Sequence, residues 1–182
     1  LALKSVDLSA AARRRMMGQV REMVLGNLRG DSERVEEGRK KWMLFERWLA
    51  KLGPDRYDTL IDGANVGYYK MNFAGAPKHV NFEQIDAVLR HFQDLGRKPL
   101  IILHCRHLSH GNLPKQFAPM TQQWRDEDAL YSTPNGANDD WFWLYAALFF
   151  NSKAGDEDDD EEEGEDGGGE GMEGAAGAAG AA

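Results

Sequence analysis

The chain has 182 residues, enough for one domain of ordinary size with attachments, and carries a net charge of −8. Residues 151–182 contain twelve of the thirty acidic side chains and one of the twenty-two basic ones, so the other residues carry 21 basic and 18 acidic side chains, a net charge of +3 that permits a polyanionic partner. The single cysteine, Cys105, excludes a disulfide framework and a cysteine-based zinc site within the chain, and no apolar run approaches the ~18 residues of a membrane-spanning helix.

Residues 1–54 predict a helical segment. Periodic apolar residues favour helices over residues 9–28 and 31–52, and the capping residues Ser9 and Asp31 stand at their starts. Gly53-Pro54 then ends the segment. The apolar face of the second helix consists of Val35, Trp42, Phe45, Trp48, Leu49 and Leu52.

Residues 55–150 predict an α/β domain. Short apolar runs favour strands over residues 59–61, 99–103 and 129–133, while helical periodicity favours helices from Asn81 to Gly96 and over residues 139–150. Strand, helix and strand at this spacing form a βαβ unit, whose strands are parallel. The expected architecture is a Rossmann-like parallel sheet preceded by the helical segment.

Residues 151–182 have the composition of a low-complexity tail. An acidic run from Asp156 to Asp166 is followed by Gly/Ala repeats. Because such a segment has almost no apolar surface to bury, it cannot offset the entropy lost on ordering, and we expect it to be disordered. The acidic run is interpreted as a solvated insertion, and an RNA mimic that blocks a basic site is the less favoured alternative.

Carboxylates follow two of the predicted strands where each strand ends. Asp62 follows the first strand, and Asp139 and Asp140 follow the third strand through a turn. Because ligands collect at the carboxyl ends of parallel strands, we expect these carboxylates to face one crevice. Clustered oxygen donors suit Mg²⁺ or Mn²⁺ and phosphoryl chemistry. Taken singly, Asp62 could instead be a capping residue, and Asp139 and Asp140 could be acidic first-turn residues favoured by the helix dipole.

The residues around these carboxylates carry a family resemblance. The segments YDTLIDGANVGYY (57–69) and NDDWFWLYAA (138–147) resemble the NYN-type nuclease domain of the protein-only ribonuclease P family, with a match from about residue 3 to residue 149. The resemblance implies a hydrolase, an endoribonuclease that removes the 5′ leader of precursor tRNA, with Asp62, Asp139 and Asp140 as catalytic, metal-binding residues. It also implies two Mg²⁺ (or Mn²⁺) ions. No small-molecule cofactor and no membrane partner are expected.

Polar residues beside the carboxylates are candidates for supporting roles. Asn65 and Asn138 are predicted to hydrogen-bond the metal-binding carboxylates. His104, Arg106 and His107 follow the second predicted strand and are candidate RNA contacts, with Arg106 placed to reach a phosphate. A surface basic cluster without a role in binding is the alternative for these three residues.

The chain departs from the family pattern in several respects. No pentatricopeptide-type repeat is found, the ligands of the family's zinc site are not present in this chain, and the expected fourth acidic residue has no counterpart. These departures motivate an alternative function, a catalytically impaired NYN-domain module that binds RNA. A Rossmann-type nucleotide-binding protein is less favoured because the Gly-x-Gly-x-x-Gly fingerprint is missing. The family implies an intracellular location, in the mitochondrion, chloroplast or nucleus, and this chain does not distinguish among them.

Overall fold

The computed structural model describes residues 8–150, so the predicted tail of residues 151–182 lies outside the described residues. Short 3₁₀ turns at Cys105–Leu108 and Lys115–Phe117 lie between the second strand and the fifth α-helix. None of the helices between residues 8 and 150 combines the length and the apolar character that crossing a membrane requires. The elements in chain order are α1 (Ala10–Gly26), α2 (Ser32–Leu52), β1 (Thr59–Asp62), α3 (Gly63–Tyr68), α4 (Phe82–Asp94), β2 (Pro99–His104), α5 (Ala118–Asp126), β3 (Leu130–Thr133) and α6 (Asp139–Phe150).

The three strands form one parallel sheet in the order β1-β2-β3. The register pairs Asp62 of β1 with Ile102 of β2, and His104 of β2 with Thr133 of β3. Because the strands are parallel, their carboxyl ends lie at one edge of the sheet. The expected α/β class with a Rossmann-like parallel sheet is confirmed.

Alternating strand residues enter two separate cores, one on each face of the sheet. The first core joins the sheet to α1, α2 and α6, and the second joins it to α4 and α5. The domain therefore has three layers, with helices on both faces of the sheet. The strand residues of the first core are Leu60, Leu100, Ile102 and Tyr131, and those of the second are Ile61, Ile101, Leu103 and Leu130.

The helix starts predicted from capping residues are confirmed. The side chains of Ser9, Asp31 and Asn81 accept hydrogen bonds from backbone amides three residues further on, at 3.2, 3.0 and 3.0 Å. Each cap satisfies an amide that the helix itself leaves unpaired. Gln84 of α4 also donates its side-chain amide to the carbonyl of Val66 at 2.7 Å, which ties α4 to α3.

The sequence pattern predicts neither α3 nor α5. Tertiary packing stabilises both helices, because each is short and has few apolar residues of its own. In α5, Trp124 is fully buried in the second core, and its indole nitrogen donates to the Asp86 carboxylate of α4 at 2.8 Å. This bond fixes α5 against α4.

Gly67 allows α3 to pack closely on α4, and replacing it with alanine should destabilise the fold. A Cβ at this position would lie 2.7 Å from the Cβ of Val80 and 3.0 Å from Cδ1 of Ile85. We expect Gly67→Ala to lower the free energy of unfolding by about 1–3 kcal/mol in urea titrations, because crowding exceeds the gain in helix propensity. Gly18→Ala in α1 is the control, since a Cβ there meets nothing within 4 Å and should stabilise the protein by about 0.5–1 kcal/mol. Equal effects of the two substitutions would contradict the close packing.

Candidate metal centre

Asp62 is the last residue of β1 and the N-cap of α3. Its Oδ1 accepts from the backbone amide of Asn65 at 2.9 Å, and its Oδ2 accepts from Nδ2 of Asn65 at 2.7 Å. The structure thus places Asn65 in contact with this carboxylate, as the sequence predicts. Asn65 therefore orients both carboxylate oxygens of Asp62. The bond from its backbone amide is also the bond by which Asp62 caps α3.

Gly63 brings the start of α3 against the middle strand. A Cβ at Gly63 would lie 3.2 Å from the carbonyl oxygen of Ile102 and 3.1 Å from Cγ2 of Ile101. The small residue after Asp62 therefore accommodates the backbone of β2. A Cβ here would require its neighbours on β2 to move by a few tenths of an ångström.

Asp139 and Asp140 begin α6 after the loop that leaves β3. Asp139 is partly buried and Asp140 is exposed. The side-chain oxygen of Asn138 accepts from the backbone amide of Asp140 at 3.1 Å, so Asn138 caps the helix. This bond is to a backbone amide, and Nδ2 of Asn138, the group that could donate to a carboxylate, has no hydrogen bond among residues 8–150. The predicted contact between Asn138 and a carboxylate group is therefore replaced by a capping interaction.

His104 lies at the carboxyl end of β2, beside the loop that leads to Asp139. Its Nδ1 accepts from the backbone amide of Arg106 at 3.1 Å, and its ring lies near the backbone of Ala137. Burial lowers the pKa of His104, while the negative charge of Asp139 opposes that shift. Asp139 and His104 are therefore electrostatic neighbours, and the segment carrying Asp139 passes over the carboxyl end of β2.

His107 packs against α3, the helix that follows Asp62, and lies near Asp139. Its ring stands edge-on to Tyr68 of α3 at 5.7 Å, and its Nε2 accepts from Nε of Arg106 at 3.1 Å. Burial and the charge of Arg106 lower the pKa of His107, and Asp139 opposes them. A neutral histidine therefore packs at this edge of the sheet. The sequence places His107 near the edge, but it does not reveal this packing role.

The predicted RNA contacts divide into buried and exposed residues. His104 is 7% exposed and His107 is 4% exposed, so these two side chains position the edge and do not offer an RNA-binding surface. The alternative of a surface basic cluster is wrong for His104 and His107 for the same reason, and it stays open for Arg106. Burial of this kind depends on tertiary packing and has no signature in the local sequence. Arg106 is exposed and stays a candidate phosphate contact.

Asp62 ends β1 and Asp139 lies near His104 at the end of β2, but the three carboxylates do not form a closed ligand set. Within residues 8–150, no three His, Cys, Asp or Glu side chains are grouped closely enough to hold a metal ion. The expectation that all three meet at a shared centre is therefore not realised in this conformation. The donor chemistry nevertheless fits Mg²⁺, which is commonly held by one or two carboxylates, with water and substrate phosphate oxygens completing its coordination.

The sequence profile described as protein-only RNase P matches residues 1–157. The chain belongs to the protein-only RNase P family. In Arabidopsis thaliana, proteinaceous RNase P 3 is 36% identical over 106 residues, and the chloroplastic/mitochondrial proteinaceous RNase P 1 is 38% identical over 109 residues. Each alignment covers 57% of this chain and 18% of the relative. The chain thus spans less than a fifth of these relatives.

Solved structures of the protein-only RNase P family share this fold. The crystal structure of the nuclear proteinaceous RNase P 2 of A. thaliana is 28% identical with a TM-score of 0.62, over 80% of this chain and 28% of that chain. A second structure of the A. thaliana nuclear protein-only RNase P 2 is 28% identical with a TM-score of 0.64, over 81% of this chain and 28% of that chain. The likeness therefore extends across most of the present chain.

Proposed function

We propose that this chain is the nuclease part of an endoribonuclease that removes the 5′ leader of precursor tRNA by hydrolysing a phosphodiester bond. The observation that carries the proposal is that Asp62 ends β1 at the carboxyl edge of a parallel sheet and Asp139 lies near His104 at the end of β2, in a chain of the protein-only RNase P family. Relatives named RNase P support the same activity for the complete protein.

Each residue of the edge has a proposed part in this reaction. Asp62, Asp139 and Asp140 would hold Mg²⁺ or Mn²⁺, with two ions expected, and the metal would activate a water and offset charge on the phosphate in the transition state. Asn65 keeps the Asp62 carboxylate in a fixed orientation. The exposed guanidinium of Arg106 would contact an RNA phosphate.

Metal dependence of cleavage tests the proposal. We expect the 182-residue chain to cleave precursor tRNA in Mg²⁺ or Mn²⁺, to leave a 5′ phosphate on the tRNA, and to lose this activity in EDTA. The measurement is single-turnover cleavage at saturating protein, with analysis of both product ends. Cleavage that continues in EDTA, or that leaves a 5′ hydroxyl on the tRNA, would contradict a metal-activated hydrolysis.

A second candidate function is an RNA-binding module with impaired catalysis. It is favoured by one observation, that the described carboxylates do not form a closed group of three ligands. Under this alternative the chain would bind precursor tRNA and leave it intact in Mg²⁺.

Under the nuclease proposal, we expect this chain to cleave precursor tRNA more slowly than a longer relative. The carboxylates do not form a closed group of three ligands, and misplacing a reacting group by about 1 Å can cost ~10²-fold in rate.

A further inference from the structure

A cavity of 640 Å³ lies between the end of α1, the first half of α2 and the start of α6. Its volume falls within the range of about 300–1,000 Å³ that is typical of small-molecule sites. It adjoins the candidate metal centre without including its carboxylates. The lining residues that bear on its chemistry are Arg29, Arg34, Lys41, Trp42, Asn138 and Trp141.

The side chains that line this cavity carry a net positive charge. Three cations, Arg29, Arg34 and Lys41, and one carboxylate, Glu37, line it. Lys41 pairs with Glu37 at 2.7 Å and donates to the carbonyl of Asn135 at 3.1 Å, so these two charges largely offset each other. The remaining positive charge belongs to Arg29 and Arg34. An anionic ligand is therefore favoured over a neutral or cationic one.

The floor of the cavity is aromatic. Trp42 is 1% exposed, and its indole Nε1 has no hydrogen-bond partner among the described residues. Edge contacts with Phe142 and Tyr145, both at 5.1 Å between ring centroids, hold the indole in place. Because Trp42 is almost fully buried, it closes the floor and offers little surface of its own. The partly buried ring of Trp141 adds a second aromatic surface.

The cavity shares a wall with the segment that carries the catalytic candidates. Asn138 lines the cavity and also caps α6 by accepting from the amide of Asp140. Ala137 lines it as well and lies near His104 at the end of β2. An RNA strand that passes over Asp139 could therefore place a neighbouring nucleotide in the cavity.

We propose that this cavity is a subsite for one unstacked nucleotide of the RNA substrate. The base packs against the partly buried indole of Trp141, beside the part of the wall that the buried Trp42 forms, and the phosphate faces Arg29 and Arg34. Aromatic surfaces bind bases of any sequence, since every base has a π face. The inference rests on the proposed function, because it takes RNA as the substrate, and it adds a second place where that RNA is held.

Nucleotide binding to the 182-residue chain tests the subsite without requiring cleavage. The chain has five tryptophans, which can be labelled with 5-fluorotryptophan and assigned by Trp→Phe variants in ¹⁹F NMR. In EDTA, we expect uridine 5′-monophosphate to shift the Trp42 and Trp141 signals. The Trp124 signal should stay unchanged, since that ring lies in the core on the other face of the sheet. Inorganic phosphate should shift these signals less than the nucleotide.

Matched arginine variants give the second readout. Arg34→Ala should weaken uridine 5′-monophosphate binding roughly tenfold, as expected for loss of a charged hydrogen bond. Arg39→Ala is the control, because Arg39 is an exposed arginine of the same helix that pairs with Glu36 at 3.8 Å outside the cavity. Equal effects of the two variants, or an equal response of Trp124, would overturn the subsite.

The same experiments distinguish a nucleotide from an acidic peptide as the ligand of the cavity. They also distinguish failure of the subsite from failure of the proposed function. If a peptide of residues 155–167 shifts Trp42 and Trp141 while the nucleotide does not, the cavity holds an acidic segment and the nucleotide subsite is wrong. If the nucleotide binds as expected but precursor tRNA is not cleaved in Mg²⁺, the proposed function fails and the subsite stands. If cleavage occurs and the nucleotide does not shift the tryptophans, the subsite alone fails.

Discussion

Replacing Asp62 or Asp139 with asparagine is expected to lower the single-turnover rate of precursor-tRNA cleavage by a factor of about 10²–10⁴. Asparagine has nearly the same shape as aspartate but no negative charge, so it holds a divalent cation poorly. The fold should persist, because the side-chain oxygen of Asn at position 62 can still accept from the backbone amide of Asn65. Cleavage at saturating protein, in Mg²⁺, measures the chemical step apart from RNA affinity.

Asp55→Asn is the matched control for these variants. Asp55 is exposed and precedes β1, so it lies at the amino edge of the sheet, opposite the candidate metal centre. Its substitution should leave the cleavage rate within about twofold of the parent chain. If Asp62→Asn and Asp139→Asn were as active as Asp55→Asn, the carboxylates at the carboxyl edge would have no part in the reaction.

The largest effect on stability is expected from Phe45→Ala, at about 3–5 kcal/mol lost from the free energy of unfolding. Phe45 is fully buried in the first core. Its ring lies 4.7 Å from that of Phe142 and 5.0 Å from that of Tyr131, so it joins α2 to α6 and to β3. Truncation would leave a cavity between three elements that cannot all collapse into it.

Leu44→Ala gives the matched control for the core substitution. Leu44 is the preceding residue of α2 and is 62% exposed, so its truncation should change stability by less than about 0.5 kcal/mol. Urea unfolding monitored by circular dichroism measures both variants. A small effect of Phe45→Ala would mean that α2 contributes little to the first core.

The helices and strands that could be predicted from the sequence are those with a strong local signal. Asn81 is followed three residues later by Gln84 and then by a long apolar stripe, and α4 begins where that pattern places it. In contrast, α3 has two glycines in six residues, a composition that disfavours helix in isolation. It forms because Gly63 and Gly67 permit close packing on β2 and α4, and such packing is a tertiary effect.

The candidate metal centre was predictable in outline and not in its contacts. The order of parallel strands was enough to place Asp62 and the start of α6 at one edge. The burial of His104 and His107 could not be inferred, because it depends on Tyr68, Ala137 and Asp139 arriving from other segments. The cavity beside α6 was equally hidden, since its walls come from two distant segments of the chain, residues 24–42 and 135–142.

The first core joins residues on either side of Gly53-Pro54, and this has a thermodynamic consequence. Helices α1 and α2 cover the same face of the sheet as α6, so neither part can keep that core without the other. We therefore expect residues 8–150 to unfold in one cooperative transition. A ligand that binds at the carboxyl edge only in the folded state would then raise the unfolding midpoint of α1 and α2 as well. Substitutions in α2 would in turn change the fraction of molecules able to bind such a ligand, although α2 contributes no carboxylate to the candidate metal centre.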